Sequence, residues 1–442
     1  MRVVFDGYLP AGLDAEALRR LARDGDELRR GVLDSERVRA FRAVADDEEA
    51  LRRVRATADR LRSRFSRLVL VGIGGSALGA ATLVEALGSR PSSVVVLDNV
   101  DPEWVRRRTA GLDLRRCAVN IVSKSGGTAE TAALGSMLVD RLRRRVGDAW
   151  REHVVTTTDP EKGPLRALAR REGLATLEVP RNVAGRFSVL TAAGLLPAAF
   201  SGVDVEALLS GARRANAACG GASPSDDPAF LAALCDARLW PSRNVCVFFV
   251  YSGLLARVAD WFAQLWAESL GKRTRLDGRV EPIGQTPLAA LGASDQHSLL
   301  QLFAEGPDDK TYNLLLLERP RARCPLPKAA ADEWNYLSGR SLEKLFSAEA
   351  AGTERTLTDA GRPVLKILLA RREEAEVGAL MQWLMTRVAY VAALLEVNAF
   401  DQPGVEHGKR VARALLGDES AVAATNIVDR GAARATRLEV RL

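Results

Sequence analysis

The stretch Leu68–Gly79, LVLVGIGGSALG, decides how the rest of the chain is read. Its first four residues form a continuous apolar run of the kind found in a strand covered on both faces. Gly72, Gly74, Gly75 and Ser76 follow, and a helix-compatible run comes after them. A buried strand, a glycine turn and a helix in succession point backbone N–H groups out of a helix N-terminus. Such a turn suits a phosphate or a sugar hydroxyl. The turn also fits a loose dinucleotide fingerprint, with Gly72, Gly74 and Ala77 in register and Asp98 about twenty residues on. A nicotinamide-dependent oxidoreductase is therefore a rival at this point.

The same rhythm continues outward from this stretch. Short apolar runs at 68–72, 94–98, 118–122, 153–157 and 175–179 alternate with helix-length segments. That pattern predicts an α/β fold with a parallel sheet flanked by helices. A second, less regular alternation has strand candidates at 244–250, 311–317 and 363–369, with helices near 228–238, 254–270, 296–304, 374–396 and 403–416. The Gly/Ser/Pro-rich CGGASPSDDP at 219–228 marks the boundary between them. The expected organisation is a helical segment over 1–62, broken near Gly25 and Gly31, a first α/β domain over 63–218 and a second over 226–400. A C-terminal helix and tail over 401–442 completes it.

Composition narrows the function. The chain has 442 residues, 47% of them hydrophobic and 27% charged, which is ordinary for a globular enzyme and too long for one hydrophobic core. Net charge is +7, and aromatics make up only 5% with no nucleic-acid module, so nucleic acid is not an expected partner. An anionic small substrate suits the charge. No run of about twenty apolar residues stands out, so no membrane span is expected. The N-terminus lacks a charged lead before a long apolar run, which argues against a signal peptide. Five cysteines without a CxxC pair read as reduced thiols in a cytoplasmic protein. Only eight of the 63 cationic residues are lysine, so each lysine is informative.

Several further stretches carry chemistry. NIVSKSGGTAET (120–131) repeats the glycine-turn device one α/β unit later. Ser123, Ser125 and Thr128 supply hydroxyls, Lys124 a cation, and the following helix its positive end, a set that suits a phosphate monoester. In VAGRFSVLTAAGLLP (183–197), Arg186 precedes an apolar run that would bury it poorly without an anion nearby. In DWFAQLWAESLGK (260–272), Gln264 and Glu268 are four apart and share a helix face. Trp261, Leu265 and Trp266 crowd that carboxylate with apolar bulk, as a general base requires. LGASDQHSLLQLFAEG (291–306) places His297 at a helix start, where an imidazole can exchange a proton near neutral pH. FDQPGVEHGK (400–409) sets Gln402 and Lys409 around a proline-initiated helix. No His/Asp/Glu cluster has metal-ligand spacing, so neither a metal nor another cofactor is expected.

Together these stretches resemble the bacterial type of glucose-6-phosphate isomerase, through VGIGGSALG, SKSGGTAET, GRFS, QLWAESLGK, GASDQHS and above all FDQPGVEHGK, in the family's order. The resemblance implies two sugar-isomerase-type (SIS) α/β domains and a homodimer with its active site shared across the interface. It implies that Ser123, Lys124, Ser125 and Thr128 cradle the phosphate, and that Gly75, Ser76, Gln264 and Gln402 touch the substrate. Glu268 would carry the proton between C2 and C1, and Arg186 would steady the enediolate. His297, reaching in from the partner subunit, and Lys409 would open the sugar ring. Two alternatives stay open beside this one: a non-catalytic sugar-phosphate sensor on the same fold, and an isomerase that also takes mannose 6-phosphate.

Overall fold

The apolar runs become strands because their side chains find cover on both faces. In the computed structural model, which describes residues 1–418 and Ser420, twelve strands form. They are β1 (Arg2–Gly7), β2 (Arg67–Val71), β3 (Val94–Leu97), β4 (Cys117–Val122), β5 (Val154–Thr158), β6 (Ala175–Glu178), β7 (Val245–Val250), β8 (Lys272–Thr274), β9 (Val280–Ile283), β10 (Thr286–Leu291), β11 (Lys310–Leu317) and β12 (Val364–Leu369). Residues Met1–Ala399 form one compact unit, and Phe400 begins a second.

The first sheet has the order β3-β2-β4-β5-β6 and is parallel throughout. The second has the order β1-β12-β11-β7-β10, parallel from β12 to β10. Both sheets follow one plan. The first parallel strand, β2 or β7, sits between the next one in sequence and a later one. Connections therefore leave β2 and β4 in opposite directions. Open α/β sheets bind ligands at such a switch point, outside the strands' carboxyl ends. Both glycine turns leave the carboxyl ends of these two adjacent strands.

Four details differ from the sequence reading. The N-terminal segment is not only helical: β1 adds an antiparallel edge to the second sheet, pairing Arg2 with Leu368. Six residues of half-buried strand give no clear alternation, and their partner lies at the far end of the chain. Gly31 does not break a helix; it lies inside Asp26–Asp34, whereas Gly25 does separate that helix from Ala15–Asp24. The strands β8, β9 and β10 were not anticipated, because β8 and β9 are largely exposed and β10, TPLAAL, has few β-branched residues. Finally, the helix Glu374–Leu394 is long and apolar enough to cross a membrane, but 89% of its apolar window is buried inside the fold. It packs against the helices Val205–Ala218, Pro228–Leu239 and Ala256–Leu270, so it is a core helix.

In the middle of that core helix Arg387 is completely buried. Its Nε and Nη2 donate to the two carboxylate oxygens of Asp236 at 2.8 and 2.7 Å, and Nη1 donates to Asn313 Oδ1 at 2.7 Å. The guanidinium also lies 5.4 Å from the ring centroid of Trp266 and 5.3 Å from that of Trp383. Tyr8, just after β1, donates to Asp236 as well. Burial opposes the charge on Arg387, but the adjacent Asp236 carboxylate outweighs it and raises the guanidinium pKa above its ordinary value. The cluster ties the N-terminal strand, the second sheet and the core helices together.

In the second unit, the turn Pro403–Val405 leads into the helix Glu406–Leu415. The patternless tail beyond residue 418 lies outside the described residues, apart from Ser420.

Candidate active site

The first glycine turn is held open by contact with another turn. Gly74–Ser76 forms a short 3-10 turn against a second one, Gly185–Phe187. A Cβ on Gly75 would stand 2.5 Å from the carbonyl of Gly185 and 2.8 Å from the Arg186 nitrogen, so only glycine fits. Gly74 has φ +55°, and a Cβ there would meet Gln264 Nε2 at 3.0 Å. Ser188 Oγ donates to the carbonyls of both Gly75 and Gly185, at 3.3 and 2.7 Å. Ser76 is partly exposed at the end of the turn.

This contact brings Arg186 and the helix Ala256–Leu270 together. Arg186 is 3% exposed, and an anion does lie beside it. Its Nη1 lies 3.0 Å from Glu268 Oε1, Nε donates to Ser269 Oγ at 2.8 Å, and Nη2 donates to the Ala399 carbonyl. Gln264 Nε2 donates to Glu268 Oε2 at 3.2 Å, as the four-residue spacing led one to expect. The Glu268 side chain keeps 26% of its surface exposed, while Trp261, Leu265 and Trp266 are buried. A guanidinium and an amide therefore bind this carboxylate, which is more polar company than the apolar neighbours foretold. Among the described residues nothing donates to the buried Gln264 Oε1. Lys272 Nζ donates to the Glu268 carbonyl at 2.7 Å.

The second glycine turn forms its own cluster after β4. Ser123 is buried and its Oγ lies 3.0 Å from Thr128 Oγ1. The N–H of Gly126 donates to Ser123 Oγ at 3.0 Å, and that of Gly127 to Ser125 Oγ at 3.3 Å. Thr128 is the N-cap of the helix Ala129–Val146 and gives it no side-chain hydrogen bond. The first-turn amides thus have no capping side chain among the described residues and lie at the positive end of eighteen residues of helix. Lys124 Nζ donates to the Arg181 carbonyl at 2.7 Å. Burial, then the nearby Arg37 charge, lower the Lys124 pKa, while Asp159 acts in the opposite direction.

Three further sequence candidates remain. His297 is exposed just after the turn Ser294–Gln296, beyond the carboxyl end of β10. Gln402 and Lys409 belong to the second unit, where the exposed Lys409 pairs with Glu406 at 2.9 Å. Sequence reasoning missed Ser269 and the Ala399 carbonyl, both of which bind Arg186. Ser269 sits beside Glu268 in the quoted motif, but only the fold shows that its hydroxyl faces a guanidinium.

A carboxylate beside a buried cation at the first glycine turn, with a hydroxyl-rich helix N-terminus after the adjacent strand, suits an enzyme for a small anionic substrate. The comparisons with known proteins agree. Residues 44–432 match the family model described as phosphoglucose isomerase. The chain belongs to that family. A glucose-6-phosphate isomerase of Carboxydothermus hydrogenoformans is 40% identical over 386 residues, covering 84% of this chain and 83% of that protein. One of Thermus thermophilus is 43% identical over 374 residues, covering 84% and 89%. Among solved structures, a hypothetical protein of Thermus thermophilus superposes with TM-score 0.89 at 40% identity, over 94% of this chain and 100% of that one. A glucose-6-phosphate isomerase of Chlamydia trachomatis shares the fold, with TM-score 0.83 at 21% identity over 96% and 90%.

Proposed function

We propose that this chain interconverts glucose 6-phosphate and fructose 6-phosphate by ring opening and enediolate proton transfer. The observation that carries the reading is the Arg186–Glu268 pair beside the Gly74–Ser76 turn, with the carboxylate still partly open to solvent. Family membership supports the same reaction.

Aldose–ketose conversion needs a base at the carbon acid, a cation where the oxyanion develops, and a grip on the remote phosphate. Glu268 takes the proton from C2 and returns it to C1, with Gln264 fixing the carboxylate's second oxygen. Arg186 stabilises the enediolate oxygen where charge develops, in a site that it reaches already ordered. Ser123, Ser125, Thr128, the Gly126–Gly127 amides and Lys124 hold the phosphate, whose binding energy keeps the reacting carbons in register. Gly75 and Ser76 offer the turn backbone, and Gln402 a side-chain amide, to the sugar hydroxyls. His297 and Lys409 open the ring. We further propose a cytoplasmic homodimer in which the partner supplies His297, a reading supported by that residue's exposure.

The test is an enzyme-coupled assay of glucose 6-phosphate formed from fructose 6-phosphate. Turnover is expected; binding of the sugar phosphate in calorimetry without turnover would contradict the reading and favour a sensor. For the dimer, mixing inactive Glu268→Gln and His297→Gln proteins under exchange conditions should restore part of the activity. No recovery would contradict a shared site.

A further inference from the structure

We infer that Ser269 is a positioning residue for the isomerisation: its hydroxyl fixes the plane of the Arg186 guanidinium against Glu268. The inference rests on the reaction proposed above.

Ser269 is completely buried and directly follows Glu268 on the helix Ala256–Leu270. Its Oγ accepts from Arg186 Nε at 2.8 Å. Nε lies at the pivot of the guanidinium, so holding it sets where the two terminal nitrogens point. One of these, Nη1, meets Glu268 Oε1 at 3.0 Å; the other, Nη2, meets the Ala399 carbonyl. The three acceptors named here hold one rigid fork along its edges, a geometry that an arginine offers and a lysine does not. Two of the three come from adjacent residues of one helix. The base and the anchor of the cation therefore move as one body, and the distance between base and cation is set by the helix.

Removing the hydroxyl would leave a buried N–H without this acceptor and loosen the hold on the guanidinium plane. The phosphate cradle uses other residues on another element, after β4, so the substrate would still be gripped. A shift of about 1 Å in a reacting group costs up to roughly 100-fold in rate. The consequence is a defect in kcat with little change in KM.

The test compares steady-state kinetics of Ser269→Ala in the wild-type and Arg186→Lys backgrounds. Ser269→Ala should lower kcat about 10- to 100-fold in the wild-type background with KM nearly constant. In the Arg186→Lys background, which lacks the Nε donor, it should cost no more than about twofold, because the two residues act as one unit. Ser269→Cys fills similar space with a weaker acceptor. It should reproduce the kcat loss, and it serves as the second variant if Ser269→Ala fails to fold. Normal kcat in both variants, or an equal loss in both arginine and lysine backgrounds, would overturn the positioning role. An inactive wild-type protein would instead overturn the reaction itself, so the two failures are distinguishable.

Discussion

Two buried arginines, Arg186 and Arg387, each pair with a carboxylate, yet they serve opposite ends. Arg387 and Asp236 are both sealed, at 0% and 2% side-chain exposure, and Asp236 takes two guanidinium bonds as well as the Tyr8 hydroxyl. Arg186 is just as deep, but its partner Glu268 stays 26% exposed and meets it through Oε1. A closed pair has no place for a reactant, whereas an open one presents both a cation and a base to whatever enters. Burial of the cation alone does not distinguish structure from catalysis; exposure of the carboxylate does.

The largest effect should come from the open pair. Glu268→Gln keeps the shape of the side chain and removes the base, so kcat should fall roughly 10³- to 10⁴-fold with substrate still bound in calorimetry. Near-normal turnover would remove Glu268 as the base and, with it, the distinction drawn between the two pairs. The closed pair should show the reverse pattern. Arg387→Leu leaves Asp236 as an uncompensated buried charge and should cost about 3–5 kcal/mol of stability. Denaturant titration would measure this, and kcat per folded molecule should stay close to wild type. A kcat loss without destabilisation would make the core cluster part of the active site.

Smaller effects should arise at the phosphate turn. Lys124→Ala removes a charge-assisted contact worth about 1.5–3 kcal/mol, so KM should rise roughly 10- to 100-fold with kcat little changed. Inhibition by inorganic phosphate should weaken in parallel; unchanged inhibition would move the phosphate site elsewhere. The smallest effect concerns pH. Lys124 must be protonated to hold the phosphate, and burial and Arg37 lower its pKa. KM should therefore begin to rise at a pH below the ordinary lysine value of about 10.4. Lys124→Arg stays charged and should lose that alkaline rise, and a rise identical in both proteins would assign it to another group.

The sequence disclosed what depends on local pattern. Apolar runs such as Leu68–Val71 and Leu314–Leu317 announced their strands, and the four-residue spacing of Gln264 and Glu268 announced a shared face. It hid what depends on pairing across the chain. β1 needs β12 to become a strand, and the Ser269 and Ala399 partners of Arg186 lie 83 and 213 residues from it. Arg387 left one local sign: a lone charge within the apolar run MQWLMTRVAYVAALL, where a buried partner is needed. Its partner, Asp236, is 151 residues away.

The most direct test of the account is deuterium exchange at C2 of glucose 6-phosphate in heavy water, followed by NMR for the wild type and Glu268→Gln. A base-mediated enediolate passes the proton through a carboxylate that can exchange with solvent. The account predicts deuterium at C2 during wild-type turnover and almost none with Glu268→Gln. Turnover with no label, or label retained at the wild-type rate without Glu268, would contradict it.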